Sequence, residues 1–156
     1  MSSTGQSKPG QSESGQDHPR YVVGVDGSEP SRAALQWAVT RAAETGAQVV
    51  AVAMWHYPAV GLERPSVGRK IHGETEDMIH KIVEDVKAAS DNPDVNITSE
   101  VYQFPAADRL IDMSENADMV IVGRRSKRGL HSLGSVCERV ASHAHCPVVV
   151  IPLGDA

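Results

Sequence analysis

Five short apolar runs constrain the fold of this 156-residue chain more strongly than any other feature of the sequence. The clearest run reads VVAVAMW and contains no polar residue. Strands that are covered on both faces have this unbroken apolar pattern, and they occur mainly in parallel sheets. The predicted strands are Tyr21 to Val25, Val49 to Trp55, Ile97 to Phe104, Met119 to Val122 and Pro147 to Ile151. The third alternates with polar residues, which favours an edge position.

Apolar residues at helical spacing lie between these runs. The predicted inner faces are Leu35, Ala38, Val39 and Ala42, then Ile79, Ile82, Val83 and Val86, then Ala107, Leu110 and Ile111, and finally Cys137, Val140, Ala141 and Ala144. Pro105 is predicted to begin the third helix, and the fourth should run from Gly134 to about His145. The segment from His56 to Gly73 is predicted to be a long connection of undefined role. Strands that alternate with helices predict an α/β fold, a single doubly wound five-stranded parallel sheet with helices on both faces.

Composition and charge set the domain organisation. Residues 1–19 are rich in Ser, Gly, Gln and Pro, which predicts a disordered tail, and residues 20–156 are long enough for one domain.

The net charge of −5 argues against nucleic-acid and anionic-membrane partners, for which a basic balance is expected. No apolar run has the length of a membrane span, and no apolar signal segment is present at the N-terminus, so we expect a cytoplasmic protein.

A basic loop joins the fourth predicted strand to the fourth helix. Arg124, Arg125, Lys127 and Arg128 place four positive charges within five residues of an acidic chain. The first turn of a helix leaves backbone N–H groups unpaired and carries the positive end of the helix dipole, so it attracts anions. Glycine there, as at Gly134, lets a phosphate approach the backbone. The loop therefore indicates an anion site, although a solvated surface turn has the same composition.

A second polar loop, Asp26-Gly27-Ser28, follows the first strand. In open α/β sheets, ligands bind beyond the carboxyl ends of the strands where the strand order reverses. If the first and fourth strands are neighbours, this loop and the basic loop line one crevice. Asp26 is equally compatible with a turn-capping role, and Ser28 is better interpreted as a helix cap than as a nucleophile.

Three segments together resemble the universal stress protein family. They are VGVDGSEPSRAALQWA, FPAADRL and VIVGRRSKRGLHSLGSVCERVASHAHCPVVVIP, and the resemblance spans nearly all of residues 20–152. It implies the strand order 3-2-1-4-5 and frequent homodimers, which we expect here through the apolar edge from Pro147 to Ile151. In one branch it also implies an ATP site marked by G-x2-G-x9-G-[ST] after the fourth strand.

The resemblance assigns roles to individual positions. By position, Asp26 would contact the ribose or the phosphates, and the backbone of Met54 would face adenine. The residues implied to surround ribose and phosphates are Val122, Gly123, Gly134, Ser135 and Val136. The motif departs from the family pattern at its second glycine, which is Ser126 here, with seven residues instead of nine before the third glycine. Arg124 and Arg125 could compensate through forked donors to phosphate oxygens.

These observations favour a nucleotide-binding stress-response module whose ligand is ATP or AMP, with or without Mg²⁺. We expect the bound nucleotide to control regulation or interaction with other molecules, with little or no hydrolysis. Two alternatives stay open: an interaction protein of the same fold that no longer binds nucleotide, and an adenylating enzyme of the ATP pyrophosphatase type. The enzyme is disfavoured because the sequence contains no identifiable residues that would activate an acceptor. A P-loop NTPase is disfavoured because the sequence from Gly129 to Ser135 lacks the phosphate-binding lysine. His143 and His145 point apart on a helix, which disfavours a metal site.

Overall fold

A computed structural model describes residues 18–124 and 134–152 of the chain. The strands are β1 (Arg20–Gly24), β2 (Gln48–Trp55), β3 (Ile97–Gln103), β4 (Met119–Arg124) and β5 (Val148–Pro152). The helices are α1 (Glu29–Thr45), α2 (Pro65–Ala89), α3 (Ala106–Ser114) and α4 (Ser135–His143). Strand and helix alternate along the chain, as predicted. No helix in the described ranges combines the length and apolarity needed to cross a bilayer.

The sheet has the order β3-β2-β1-β4-β5, and every pair of neighbouring strands is parallel. This confirms the predicted doubly wound sheet and the edge position of β3. The order reverses between β1 and β4, where Tyr21 pairs with Met119 and Val23 pairs with Ile121. The segments that follow these two strands therefore leave the sheet side by side.

Two apolar clusters, one on each face, hold the sheet between its helices. Leu35 of α1 and Ile79 of α2 pack on one face, and Leu110 of α3 and Val140 of α4 pack on the other. The strand residues alternate between the clusters, so that Val23 belongs to the first and Val22 to the second. This two-sided burial is the physical reason for the unbroken apolar runs in the sequence.

The connection predicted from His56 to Gly73 is wrong in its second half. Helix α2 begins at Pro65, which occupies the first turn, where proline is tolerated. Glycine costs about 1 kcal/mol relative to alanine inside a helix, but the packing of an amphipathic face outweighs that cost. At Gly68 the missing side chain also serves packing, because a Cβ there would lie 2.6 Å from Tyr57 Oη and 3.1 Å from the Trp55 ring.

Smaller differences occur at α3 and α4. Pro105 precedes α3 as its N-cap residue instead of occupying the first helical position. Ala141 was predicted to be buried in α4 but is exposed, whereas Cys137 and Val140 are buried and Ala144 is half-buried. The inner face of α4 is narrow because the helix packs near the β5 edge of the sheet, where fewer neighbours cover it.

Gly123, in β4, sets how closely α1 can approach the sheet. A Cβ at this position would lie 2.3 Å from both the carbonyl carbon and the carbonyl oxygen of Pro30, and 2.8 Å from the amide nitrogen of Ser31. Real Cβ contacts are not this short, and the atoms in the way are backbone, which cannot rotate aside. Any side chain at this position must therefore push the first turn of α1 away from the sheet.

We predict that Gly123→Ala destabilises the protein by about 1–3 kcal/mol or more, because overpacking of a rigid contact displaces backbone. The free energy of unfolding in urea measures the effect. The matched control is Gly73→Ala, since a Cβ at Gly73 meets no atom within 4 Å and the residue lies inside α2. That control should gain roughly 0.5–1 kcal/mol from helix propensity. Equal stability of Gly123→Ala and wild type would contradict the packing role.

Candidate functional site

A cleft of about 580 Å³ opens where the strand order reverses. Its walls come from the carboxyl ends of β1, β2 and β4, the start of α1, the start of α3 and the start of α4. The lining residues are Gly24, Val25, Asp26, Ser28, Ser31, Val52, Met54, His56, Phe104, Ala106, Leu110, Val122, Gly123, Gly134, Ser135, Val136 and Cys137. The floor is therefore apolar, and polar groups converge at the rim, as in many small-molecule sites.

Most of the site residues predicted from sequence come together here. Those that line the cleft are Asp26, Met54, Val122, Gly123, Gly134, Ser135 and Val136. Arg124 ends β4 beside the cleft but is not a lining residue. Arg125 and Ser126 lie outside the described residues. The loop after β1 and the start of α4 thus share one crevice.

Asp26 and Ser28 form a hydrogen-bonded turn that begins α1. Asp26 Oδ1 accepts hydrogen bonds from the Ser28 amide, at 2.9 Å, and from the Ser28 hydroxyl. The Ser28 hydroxyl oxygen accepts from the Ser31 amide at 3.4 Å and caps the helix. Ser31 Oγ in turn donates to the Ser28 carbonyl at 2.9 Å and accepts from the Asp26 amide at 3.2 Å. One oxygen of Asp26 therefore has a structural role, which is the capping alternative noted from the sequence.

The start of α4 differs from the start of α1. Gly134 is its N-cap residue, with φ 89° and ψ 156°, and no side chain caps the helix within the described part of the chain. This region of φ and ψ is essentially restricted to glycine. The first turn of α4 therefore lines the cleft, and no described side chain gives it the hydroxyl acceptor that Ser28 supplies to α1. Such a helix start is chemically suited to an anionic group.

Cys137 and Arg124 lie at the α4 side of the cleft and influence each other electrostatically. Burial raises the pKa of the Cys137 thiol, Asp26 and Glu138 act in the same direction, and the Arg124 guanidinium opposes them. The side chain is 6% exposed, and Sγ lies 3.4 Å from the Gly123 carbonyl oxygen, to which it donates. The thiol is therefore protonated at neutral pH and unsuited to nucleophilic attack. Arg124 Nε is buried and has no hydrogen-bond partner among the described residues.

Sequence reasoning missed His56 and Phe104 as residues of the site. His56 follows β2, Phe104 follows β3, and their ring centroids are 5.6 Å apart. Their position directly after two neighbouring strands is a signal that could have placed them at this edge. Among the residues described, no group of three or more His, Cys, Asp or Glu side chains is arranged to hold a metal ion.

Comparison with known proteins gives a consistent result. The family model described as "Universal stress protein family" matches residues 19–152. A universal stress protein of Methanocaldococcus jannaschii is 31% identical over 137 residues, which cover 85% of this chain and 81% of that protein. The chain spans less than half the length of the mycobacterial universal stress proteins that it also matches.

Two solved structures with bound nucleotides share the fold. A universal stress protein in complex with cAMP has a TM-score of 0.64 and 24% identity, and the match covers 86% of this chain and 97% of that one. A universal stress protein from Archaeoglobus fulgidus in complex with dAMP has a TM-score of 0.54 and 18% identity, with coverage of 86% and 98%. At these identities the likeness establishes a common fold.

We predict that the two serines at the helix starts of the cleft respond differently to substitution. Ser28→Ala removes the cap of α1 and one hydrogen bond to Asp26, so it should destabilise the protein by about 1 kcal/mol. Ser135→Ala, at the uncapped start of α4, should leave the free energy of unfolding within about 0.5 kcal/mol of wild type. Urea denaturation compares the two variants. Equal losses in both would mean that Ser135 also has a capping role.

Proposed function

The chain belongs to the universal stress protein family, and we propose that it binds an adenine nucleotide, ATP or AMP, in the cleft between Asp26 and Gly134. The observation that carries this proposal is the start of α4, which lines the cleft and has no side-chain cap from the described residues. An anionic group bound there gains hydrogen bonds and the favourable end of the helix dipole. The cAMP and dAMP held by two proteins of the same fold support a nucleoside phosphate as the ligand.

The size and lining of the cleft fit such a ligand. Its volume of about 580 Å³ lies within the range of small-molecule pockets. Val52, Met54, Leu110 and Val122 supply apolar surface for a base and a sugar. The exposed carboxylate of Asp26, which stands at the rim, can accept a hydrogen bond from a ribose hydroxyl. The ligand would then lie across the sheet edge with its phosphates toward α4.

Arg124 is proposed to stabilise the phosphates from β4. Its guanidinium is close enough to the cleft wall to oppose the raised pKa of Cys137, so its positive charge would also favour an anion bound at the start of α4. Its Nε is buried and does not itself reach the cleft. Arg125 and Ser126 are proposed by family resemblance alone to extend this contact.

We propose that binding, rather than turnover, is the function. Among the described lining residues, Asp26 is the only carboxylate and His56 the only imidazole, and the Cys137 thiol is protonated. Because the described lining residues supply a single carboxylate, and one of its oxygens already holds a turn, any Mg²⁺ would be bound chiefly by nucleotide phosphates and water. The bound nucleotide would then act as a signal that regulates the protein or its interactions.

Calorimetric titration with ATP and AMP tests the proposal. We expect saturable heat with the wild type and its loss in Gly134→Val. Since a Cβ at Gly134 meets no described atom within 4 Å, we expect the loss to come mainly from backbone strain at φ 89°, which would turn the first-turn amides away from the phosphates. Gly134→Ala should weaken binding for the same reason, whereas Gly73→Ala should bind like wild type. Arg124→Ala should be milder than either Gly134 variant.

Three results would contradict the proposal. No heat in the wild-type protein at millimolar ATP and AMP would favour the interaction protein that has lost nucleotide binding. Multiple-turnover phosphate release at roughly 1 per second or faster, a typical enzyme rate, would favour an enzyme. Binding that persists unchanged in Gly134→Val would place the phosphates away from α4.

We also propose that the protein forms a homodimer through β5. This strand is an edge of the sheet, and Val148, Val149, Val150 and Ile151 are only half-buried. An apolar edge with unpaired backbone groups is an aggregation hazard unless it is covered. A second copy that pairs through the same strand would cover it symmetrically.

Light scattering at tens of micromolar should therefore give the dimer mass. Val149→Lys should give a monomer, because a charge on the paired edge opposes association. The matched control is Val101→Lys on β3, the opposite edge, since Val101 and Val149 are both half-buried and pack against the same apolar cluster. A monomeric wild type, or dissociation by Val101→Lys alone, would contradict the assignment of β5.

A further inference from the structure

His56 and Phe104 form an aromatic rim at the end of the cleft opposite α4. Their ring centroids are 5.6 Å apart, and the ring planes are inclined by 53°. Phe104 is 56% exposed, which is unusual for the single phenylalanine of the chain. Both residues line the cleft, so this exposed apolar surface faces the site and not only bulk solvent. An exposed aromatic face beside a cleft marks a place where a planar ligand group would be stabilised.

Neighbouring aromatic residues have partners elsewhere, whereas this pair faces the cleft. Trp55 packs edge-on against Tyr57 at 5.2 Å and against His72 of α2 at 6.3 Å. Tyr102 lies under the Arg109 guanidinium at 4.1 Å from the ring centroid. Successive side chains of a strand point to opposite faces, so Met54 and His56 lie on the side opposite Trp55.

The rim is held in place by the backbone. The Phe104 amide donates a 2.8 Å hydrogen bond to the Trp55 carbonyl, which fixes the end of β3 against the end of β2. Met54 pairs with Tyr102 in the same ladder. The Phe104 backbone is therefore anchored to the end of β2, and a ligand would not have to order it. Preformed contact surface of this kind lowers the entropic cost of binding.

The rim and the start of α4 lie at opposite sides of β1. Because β1 separates β2 from β4 and strands are spaced by about 4.8 Å, the end of β2, which His56 follows, is on the order of 10 Å from the end of β4, and the end of β3, which Phe104 follows, is about one spacing further. A nucleoside monophosphate has the same arrangement, a planar base at one end and an anion at the other. The floor between them is apolar, as a ribose ring requires.

We propose that the His56–Phe104 rim is the base-recognition element of the cleft and that it selects purine over pyrimidine bases. This inference rests on the proposed nucleotide-binding function and adds the residues that determine its specificity. A two-ring base covers more of the Phe104 face than a one-ring base and gains more from stacking on it. His56 closes the rim from the β2 side and limits how far the base can slide out.

Titrations followed by NMR chemical shifts test this assignment with three probes, AMP, UMP and ribose 5-phosphate. Wild type should bind AMP more tightly than UMP. Phe104→Ala should weaken AMP binding about tenfold, the size expected for the loss of one stacked base, and should leave ribose 5-phosphate unchanged. Phe104→Tyr should retain AMP affinity because it retains the ring, and His56→Ala should reduce the preference for AMP over UMP.

The controls separate failure of the rim from failure of the site. Val60→Ala removes another exposed apolar side chain, 97% exposed and not part of the cleft, and should change nothing. The rim assignment is wrong if wild type and Phe104→Ala bind AMP equally well. It is also wrong if Phe104→Ala weakens the binding of ribose 5-phosphate as much as the binding of AMP. In both cases the proposed nucleotide site stands. If wild type binds none of the three probes, both proposals fall. Thermal melting should show Phe104→Ala as stable as wild type, since the ring is largely exposed.

Discussion

The cleft depends on the contact between the first turn of α1 and Gly123 of β4. Parallel pairing of β1 and β4 brings the two chain segments together, but the pairing alone does not fix how closely α1 approaches. The backbone of Pro30 lies where a Cβ of residue 123 would stand, so the absence of that one side chain sets the distance. The Asp26 turn, which begins α1, takes its position from this contact. The two polar walls of the crevice are therefore coupled through packing as well as through strand order.

The unpaired backbone N–H groups at the starts of α1 and α4 have different hydrogen-bond partners. At α1 the Ser28 side chain caps the helix, and Asp26 Oδ1 accepts hydrogen bonds from Ser28 and orients it. At α4 the N-cap residue is Gly134, which has no side chain to offer. A good cap contributes about 1 kcal/mol, so a helix start beside a cleft that no described side chain caps leaves stability for a ligand to supply. This contrast separates the proposed binding side of the cleft from its supporting side more clearly than charge does.

The sequence predicted the strands and three of the helices well because burial on both faces leaves an unbroken apolar pattern. The strand order came from family resemblance, since apolar runs do not specify which strands are neighbours. The prediction from local propensity was wrong at the start of α2, where Gly68 and Gly73 indicated a loop. Gly68 lies inside the helix, and glycine is needed there because Trp55 and Tyr57 occupy the space that a side chain would take. The rim was missed for a different reason. His56 and Phe104 are distant in sequence, and only the β2–β3 pairing brings their rings together.

Glycine is required for different physical reasons at the two glycine positions of the loop motif, and this affects how the motif should be interpreted. Gly123 is required by backbone packing against Pro30 at a residue of β4, so a chain of this fold would need it whether or not it bound a ligand. Among the described residues, no atom lies within 4 Å of a Cβ built at Gly134, and its positive φ disfavours other residues. That conformation orients the first amides of α4, and it contributes no packing of its own. Gly134, rather than Gly123, is therefore the glycine whose presence bears on the proposed anion site.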